Sequence, residues 1–306
     1  MQTYRAPLKD MQFVLDTFGY NKVQALKGFE DFDLDTVMAL IEETGKFCAK
    51  EMLSLNQSGD AEGVKYDPET QTLTTPKGFK QLYRKYVESG MAGITQPPEY
   101  GGGGAPHPVA IAISEMATAC NKSFSMCPGL GHGLVESLLH YGTDEQKQTF
   151  LPKLISGEWS GTMCLTEPQC GTDLGLMTTK AVPDGDAYRL TGTKIWITFG
   201  EHDLTENIVH LVLARLPDAP EGIKGVSVFL VPKINLDGTR NSIYCGGIEH
   251  KMGIHASPTC VMNMENATGY LVGEPHKGMR AMFIMMNFAR LTVGVEGIAL
   301  SEIAYQ

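Results

Sequence analysis

Apolar residues recur at helical spacing through the first half of the chain. Leu8, Met11, Phe13, Val14, Leu15 and Phe18 outline a short helix over about 7–18, closed by Gly19. Val37, Leu40, Ile41, Phe47 and Met52 outline a longer helix from about 33 to 53, with Asp33 and Asp35 placed to cap its start and complement its dipole. The period returns over about 77–89, 107–122, 130–141 and 144–156, and Ala110, Ile111, Ile113, Met116 and Ala117 read as a buried helix. The stretch 58–76 is polar and predicts a link with a small hairpin around Asp67-Pro68-Glu69-Thr70.

After about residue 158 the period changes. Short β-prone runs at 160–166, 176–183, 187–191, 194–198, 207–215, 225–232, 258–264 and 269–272 alternate with Gly, Pro, Asp and Asn turns. A helical run returns near Gly278, through Met282, Met285, Met286, Leu291, Val295 and Ile298, and continues to Gln306. The pattern predicts an α+β chain: an N-terminal α-helical domain over 1–157, a central antiparallel β domain over 158–275, and the start of a C-terminal helical domain over 276–306. The apolar stripe of this last helix needs partners. We therefore expect either a truncated helical domain, the chain being the N-terminal portion of a longer protein, or partner helices from another molecule.

Composition narrows the function. A formal charge of −10, with no Lys/Arg-rich block, argues against a sequence-independent nucleic-acid binder. No run of eighteen apolar residues and no basic-then-apolar N-terminus occurs, which predicts a cytoplasmic protein without a membrane span. The seven cysteines form no C-x-x-C pair and read as reduced thiols, and the eight histidines show no zinc spacing. Asp31, Asp33, Asp35 and Glu42 have calcium-loop spacing, but Thr36 stands where such a loop needs glycine. Gly101 to Gly104 fail the dinucleotide fingerprint at Pro106, and Gly273 to Gly278 lead into Met279-Arg280 where a P-loop needs Lys-Ser/Thr.

Two stretches carry the chemistry. Met163-Cys164-Leu165-Thr166-Glu167-Pro168-Gln169-Cys170-Gly171-Thr172-Asp173 is a β-prone run ending in turn residues. Lys194-Ile195-Trp196-Ile197-Thr198 is a short strand carrying a tryptophan, with Thr191-Gly192-Thr193 predicted as a turn before it. A flat cofactor needs backbone N–H groups and a hydroxyl at its polar edge and an apolar wall against its face. Thr166, Thr172, Thr198 and Trp196 are residues of those kinds.

The C-L-T-E-P-x-x-G-T-D run, followed by W-I-T after a Y-x-L-x-G-x-K segment, resembles the flavin-binding core of the acyl-CoA dehydrogenase family. Glu99-Tyr100-Gly101-Gly102, Lys251-Met252-Gly253-Ile254 and Gly269-Tyr270-Leu271-Val272-Gly273 extend the likeness. The opening Tyr4-Arg5-Ala6-Pro7-Leu8-Lys9-Asp10-Met11 resembles a branch of longer bacterial enzymes that includes methylmercaptopropionyl-CoA dehydrogenases.

The resemblance implies FAD as cofactor, held by Met163, Cys164, Leu165, Thr166, Gly171, Thr172, Trp196, Ile197 and Thr198. It implies an acyl-CoA substrate met by Thr172, Asn287 and Arg290, an electron-transfer flavoprotein as acceptor, and a homo-oligomer or heteromeric subunit. It also implies that 101–104 borders the active site. The family's α-proton base is a carboxylate, which most members carry beyond the stretch that this chain matches and some carry just before the helix arginine, where Ala289 stands here. Glu167 matches a structural glutamate, and Glu296 has only helix placement to recommend it, so no catalytic residue is nominated. Two other readings stay open: a noncatalytic flavin-binding or assembly subunit, and a flavin oxidase or monooxygenase of related fold.

Overall fold

The computed structural model describes residues 2–306. Its helical part begins with α1 (Leu8–Thr17), α2 (Tyr20–Gln24) and α3 (Leu34–Phe47), and the Asp33 side chain caps α3 by accepting the Thr36 N–H at 2.7 Å. A π-helical turn over Cys48–Met52 continues α3, and α4 (Asn56–Glu62) leads into the hairpin of β1 (Lys65–Asp67) and β2 (Thr72–Thr74). Asp67 closes its turn by accepting from the Glu69 N–H and the Thr70 hydroxyl. The helices α5 (Phe79–Glu88), α6 (His107–Tyr141) and α7 (Asp144–Ser156) complete this part. Phe79, Tyr83 and Tyr86 of α5 bury their rings edge-on against Phe124 of α6 at 5.9 to 6.2 Å.

The two expected helices abut at a kink. The stretches 107–122 and 130–141 join in α6, which bends at Asn121, whose φ of −157° and ψ of 86° leave the helical region. The Asn121 side chain replaces what the bend gives up: its Nδ2 donates to the Met52 carbonyl at 3.2 Å, and its Oδ1 accepts from the Phe124 N–H at 3.1 Å.

The sheet strands are β3 (Trp159–Cys164), β4 (Lys180–Asp184), β5 (Ala187–Thr198), β6 (Asn207–Arg215), β7 (Val226–Pro232), β8 (Ile243–Ile248) and β9 (Thr259–Leu271). Pairing runs β6–β7–β9–β5–β4 and returns to β6, closing a small barrel, with β3 added on β6 and β8 on β9. Most pairs are antiparallel, as expected, but the single β4–β6 bridge is parallel, and β3 lies parallel to β6 along its length. The 42 residues between the two leave ample chain for the crossover that a parallel pair needs. Three details differ from the sequence reading. The runs 187–191 and 194–198 are one bulged strand without a turn at Gly192, 258–264 and 269–272 are one strand through Asn266, and β8 was not anticipated.

The last helix, α8 (Gly278–Tyr305), packs along α6, where Gly133 admits Met285 and the Ser137 hydroxyl donates to the Ala281 carbonyl at 3.0 Å. By length and composition α8 is apolar enough to cross a membrane, with a mean hydropathy of 1.4 over its most apolar window, which the sequence reading did not anticipate. In this fold Met282 and Met285 on its inner face are buried, while Phe283, Leu291, Val293 and Ile298 are exposed.

Replacing Asn121 with alanine removes two buried hydrogen bonds and should cost about 2 kcal/mol of stability with an unchanged denaturant slope. Urea unfolding measures this, and a loss below about 0.5 kcal/mol would show that the bend does not depend on the side chain.

Candidate functional site

Strand β3 ends at Cys164, and the chain turns through Leu165 and Thr166 into a tight loop in which Glu167 and Cys170 exchange backbone hydrogen bonds at 2.8 and 3.0 Å. Beneath this loop lies a buried ion pair. Lys194 Nζ sits 2.8 Å from Glu167 Oε1, with side-chain exposures of 0% and 2%. The Glu167 carboxylate also accepts from the Thr178 N–H (2.7 Å), the Thr179 N–H (3.1 Å) and the Gln169 amide (2.6 Å). Lys194 donates a second bond to the Leu165 carbonyl at 3.0 Å, and the Ile195 N–H donates to the Thr166 carbonyl at 2.9 Å. The two motif segments are therefore tied side by side through backbone and buried charge.

Burial pushes the Glu167 carboxyl up, but the Lys194 charge and the hydrogen bonds outweigh it and hold the pKa at about 2. Burial lowers the Lys194 pKa, and the carboxylate opposes that shift. Glu167 is thus a committed structural anion and not a general base.

The register of β5 slips between Lys194 and Ile197, and Trp196 in the slip has a left-handed φ of +63°. Ordinary alternation would put Lys194 and Trp196 on one face. The bulge buries Lys194 and Ile197 instead, and leaves the indole 56% exposed. A large aromatic held outward by strained backbone, beside half-buried Leu165, Thr166 and Thr198, is the wall that a flat ring needs. Cys164 and Ile197 turn their side chains into the core, so only their backbone can face such a ring.

From the same edge a groove of about 940 Å³ opens between the loop and α8. Leu165, Thr166, Gly171 and Thr172 of the loop line it, together with Lys224, Lys277, Arg280 and Phe283. The sequence reading missed these cations. Lys277 and Arg280 fall in the stretch set aside because it is no P-loop, and Lys224 belongs to an isolated turn. Met163, Trp196, Thr198, Asn287 and Arg290 do not line the groove. Asn287 accepts a hydrogen bond from Arg290, whose guanidinium lies 5.8 Å from the Phe283 ring centre and pairs with no carboxylate among the described residues. Of the other carboxylates weighed, Glu296 is paired with Lys122. The glycines expected at the active site serve as bracing: Gly103 and Gly104 donate to the Gly93 and Gln96 carbonyls at 2.9 Å, and a Cβ on Gly102 would lie 2.0 Å from the Gln96 carbonyl oxygen.

A helical layer, a small barrel and a long returning helix surround this groove. The profile of the acyl-CoA dehydrogenase N-terminal domain matches residues 34–158, and that of the middle domain matches 162–267. The 3-methylmercaptopropionyl-CoA dehydrogenase of Ruegeria pomeroyi is 47% identical across 99% of this chain and 53% of its own length. An acyl-CoA dehydrogenase structure from Geobacillus kaustophilus superposes with a TM-score of 0.73 at 26% identity, over 87% of this chain and 66% of that one. One from Bacillus anthracis, complexed with FAD, superposes with a TM-score of 0.71 at 26% identity, over 88% and 42%. The chain belongs to the acyl-CoA dehydrogenase family, whose cofactor is FAD, and it spans about half the length of the curated relatives it matches.

The Glu167 pKa gives a pH prediction. Its folded value lies below the unfolded value of about 4.3, so the pair's contribution is complete above about pH 4.3 and is lost as pH falls toward 2. Across that window wild-type stability should drop by on the order of 2–3 kcal/mol more than that of Glu167→Gln, which is weaker at neutral pH. Denaturant unfolding at stepped pH decides, and parallel acid limbs would contradict the assignment.

Proposed function

We propose that this chain holds the FAD and the CoA moiety for α,β-dehydrogenation of an acyl-CoA thioester, with electrons leaving to an electron-transfer flavoprotein. The observation that carries the reading is the tie between the two cofactor-facing segments through Lys194, Glu167 and the Ile195–Thr166 bond. FAD, when bound, supplies the acceptor for the β-hydride. Met163–Thr166 and Trp196–Thr198 hold the flavin ring, with backbone groups and the Thr166 and Thr198 hydroxyls at its polar edge and Trp196 against it. Gly171 and Thr172 lie toward the phosphates and the pantetheine. Lys224 and Arg280 line the same groove and neutralise phosphate charge. Asn287 fixes the Arg290 guanidinium, which shapes the acyl end of the site.

No carboxylate of this chain is assigned the α-proton. Glu167 and Glu296 are spent in ion pairs, and Ala289 cannot accept a proton. The named relative acts on 3-methylmercaptopropionyl-CoA, and we propose that compound or a short straight acyl-CoA as substrate, in a cytoplasmic oligomer.

FAD titration followed by acyl-CoA titration tests the reading. Trp196→Ala should weaken FAD retention at least about tenfold through loss of aromatic contact and changed backbone preference. Lys224→Ala and Arg280→Ala should each weaken acyl-CoA about tenfold, less at high salt, with FAD affinity kept. Unchanged FAD content in folded Trp196→Ala protein would contradict the flavin wall.

A further inference from the structure

All seven cysteines are buried and free, and the proposed dehydrogenation uses none of their thiols. Two of them lie side by side. In the register of β8 against β9, Cys245 is paired with Met262 and Ile248 with Cys260, so Cys245 and Cys260 are diagonal neighbours on the buried face. Gly246 between them is the extra residue of a bulge. The two thiols belong to one hydrogen-bonded chain: the Glu201 N–H donates to Cys260 Sγ at 3.3 Å, the Cys260 thiol donates to Cys245, and the Cys245 thiol donates to the Gly247 carbonyl at 3.2 Å. The bond from Cys260 lowers the Cys245 pKa against the effect of burial, and the nearby Lys233 ammonium adds to it. Burial pushes Cys48, Cys120, Cys127, Cys164 and Cys170 the other way, and Cys260 rises as the donor of the pair. Among the described residues Cys245 is therefore the thiol with the most thiolate character.

A recess of about 310 Å³ opens beside the pair. Glu201, Lys233, Arg240, Ile243 and Tyr244 line it, so its wall includes the residue bonded to Cys260 and the two that precede Cys245. Strand β8 is an edge strand, paired with β9 alone, and the Tyr66 hydroxyl holds it by donating to the Cys245 carbonyl at 2.8 Å. Local opening of that edge admits a molecule of peroxide's size from the recess to Cys245.

We propose that Cys245 and Cys260 form a peroxide-sensing dithiol, whose reversible oxidation to a disulfide loosens the proposed flavin wall. The Cys245 thiolate attacks one oxygen of hydrogen peroxide: the S–O bond forms, the O–O bond breaks, and the hydroxide that leaves takes up a proton to become water. The Cys260 sulfur then attacks the Cys245 sulfenic acid. The S–S bond forms, the S–O bond breaks, and the sulfenic oxygen leaves as a second water with the Cys260 proton. Two thiols are oxidised and one peroxide is reduced. Cα atoms of diagonal neighbours stand roughly 7–8 Å apart, and a disulfide holds them within roughly 6.8 Å, so closure draws β9 toward β8 at Cys260. Across β9, Cys260 is also paired with Ile197 of β5, beside the bulge that turns Trp196 outward. The effect on FAD rests on the proposed role of Trp196, whereas the thiol chemistry is independent of it.

In the test, FAD-loaded protein is treated with hydrogen peroxide, quenched in denaturant, and read by thiol titration and by mass spectrometry of its peptides. Two thiols should be lost together, with peptides cross-linked through Cys245 and Cys260, and dithiothreitol should restore both. Cys260→Ser should stop at a sulfenic acid on Cys245, captured by dimedone. Tyr66→Phe, which frees β8 at Cys245, should oxidise about fivefold faster. The oxidised protein should bind FAD at least about threefold more weakly, with full affinity regained on reduction. Absence of that cross-link, or a Cys245→Ser protein that loses thiols as fast as the wild type, overturns the dithiol. A complete disulfide that leaves FAD affinity unchanged overturns its effect on the flavin wall.

Discussion

The candidate site depends on one buried ion pair. Withdrawing Lys194 and Glu167 from water costs several kcal/mol per ion, and a bare pair seldom recovers that through its own attraction. Here the carboxylate has four further donors, the Thr178 hydroxyl among them, and the ammonium has the Leu165 carbonyl. The charges are satisfied only when the loop after β3, the segment at Thr178–Thr179 and the bulge of β5 are all in place. Such a pair specifies an arrangement more than it adds stability. It places Leu165, Thr166 and Trp196 on a common edge.

Two recesses follow from that placement. β3 carries the loop into the groove, which Gly171 and Thr172 line together with Lys224 and Arg280. The same strand packs its glycine against Gly131 of α6, beside a small apolar cavity between α6 and α8. Helix α8 lies between, with Arg280 and Phe283 toward the groove, and Phe288 and Thr292 toward the cavity. Opposite stretches of one helix thus line a groove carrying cations and a small apolar cavity.

Much of this was legible in the sequence, and the rest was hidden for physical reasons. The helical periods and the fully apolar run of β6 mark elements whose burial follows simple repetition. The motifs around Thr166 and Trp196 mark two segments that the structure ties side by side. Strand β8 escaped because Gly246 and Gly247 interrupt its apolar pattern at a bulge. The structural weight of Lys194 escaped because a lysine in an alternating strand reads as solvent-facing, and only the left-handed backbone at Trp196 reverses the two residues. The groove cations come from distant turns that no local pattern connects.

The central claim is that the pair governs cofactor binding and not merely stability. The direct measurement is the FAD dissociation constant of Lys194→Met and Glu167→Gln, beside Asn121→Ala, which loosens the fold outside the two segments. The account predicts that both pair variants, at temperatures where they remain folded, weaken FAD at least about tenfold while Asn121→Ala leaves it within about twofold. Equal FAD affinity in all three would contradict it.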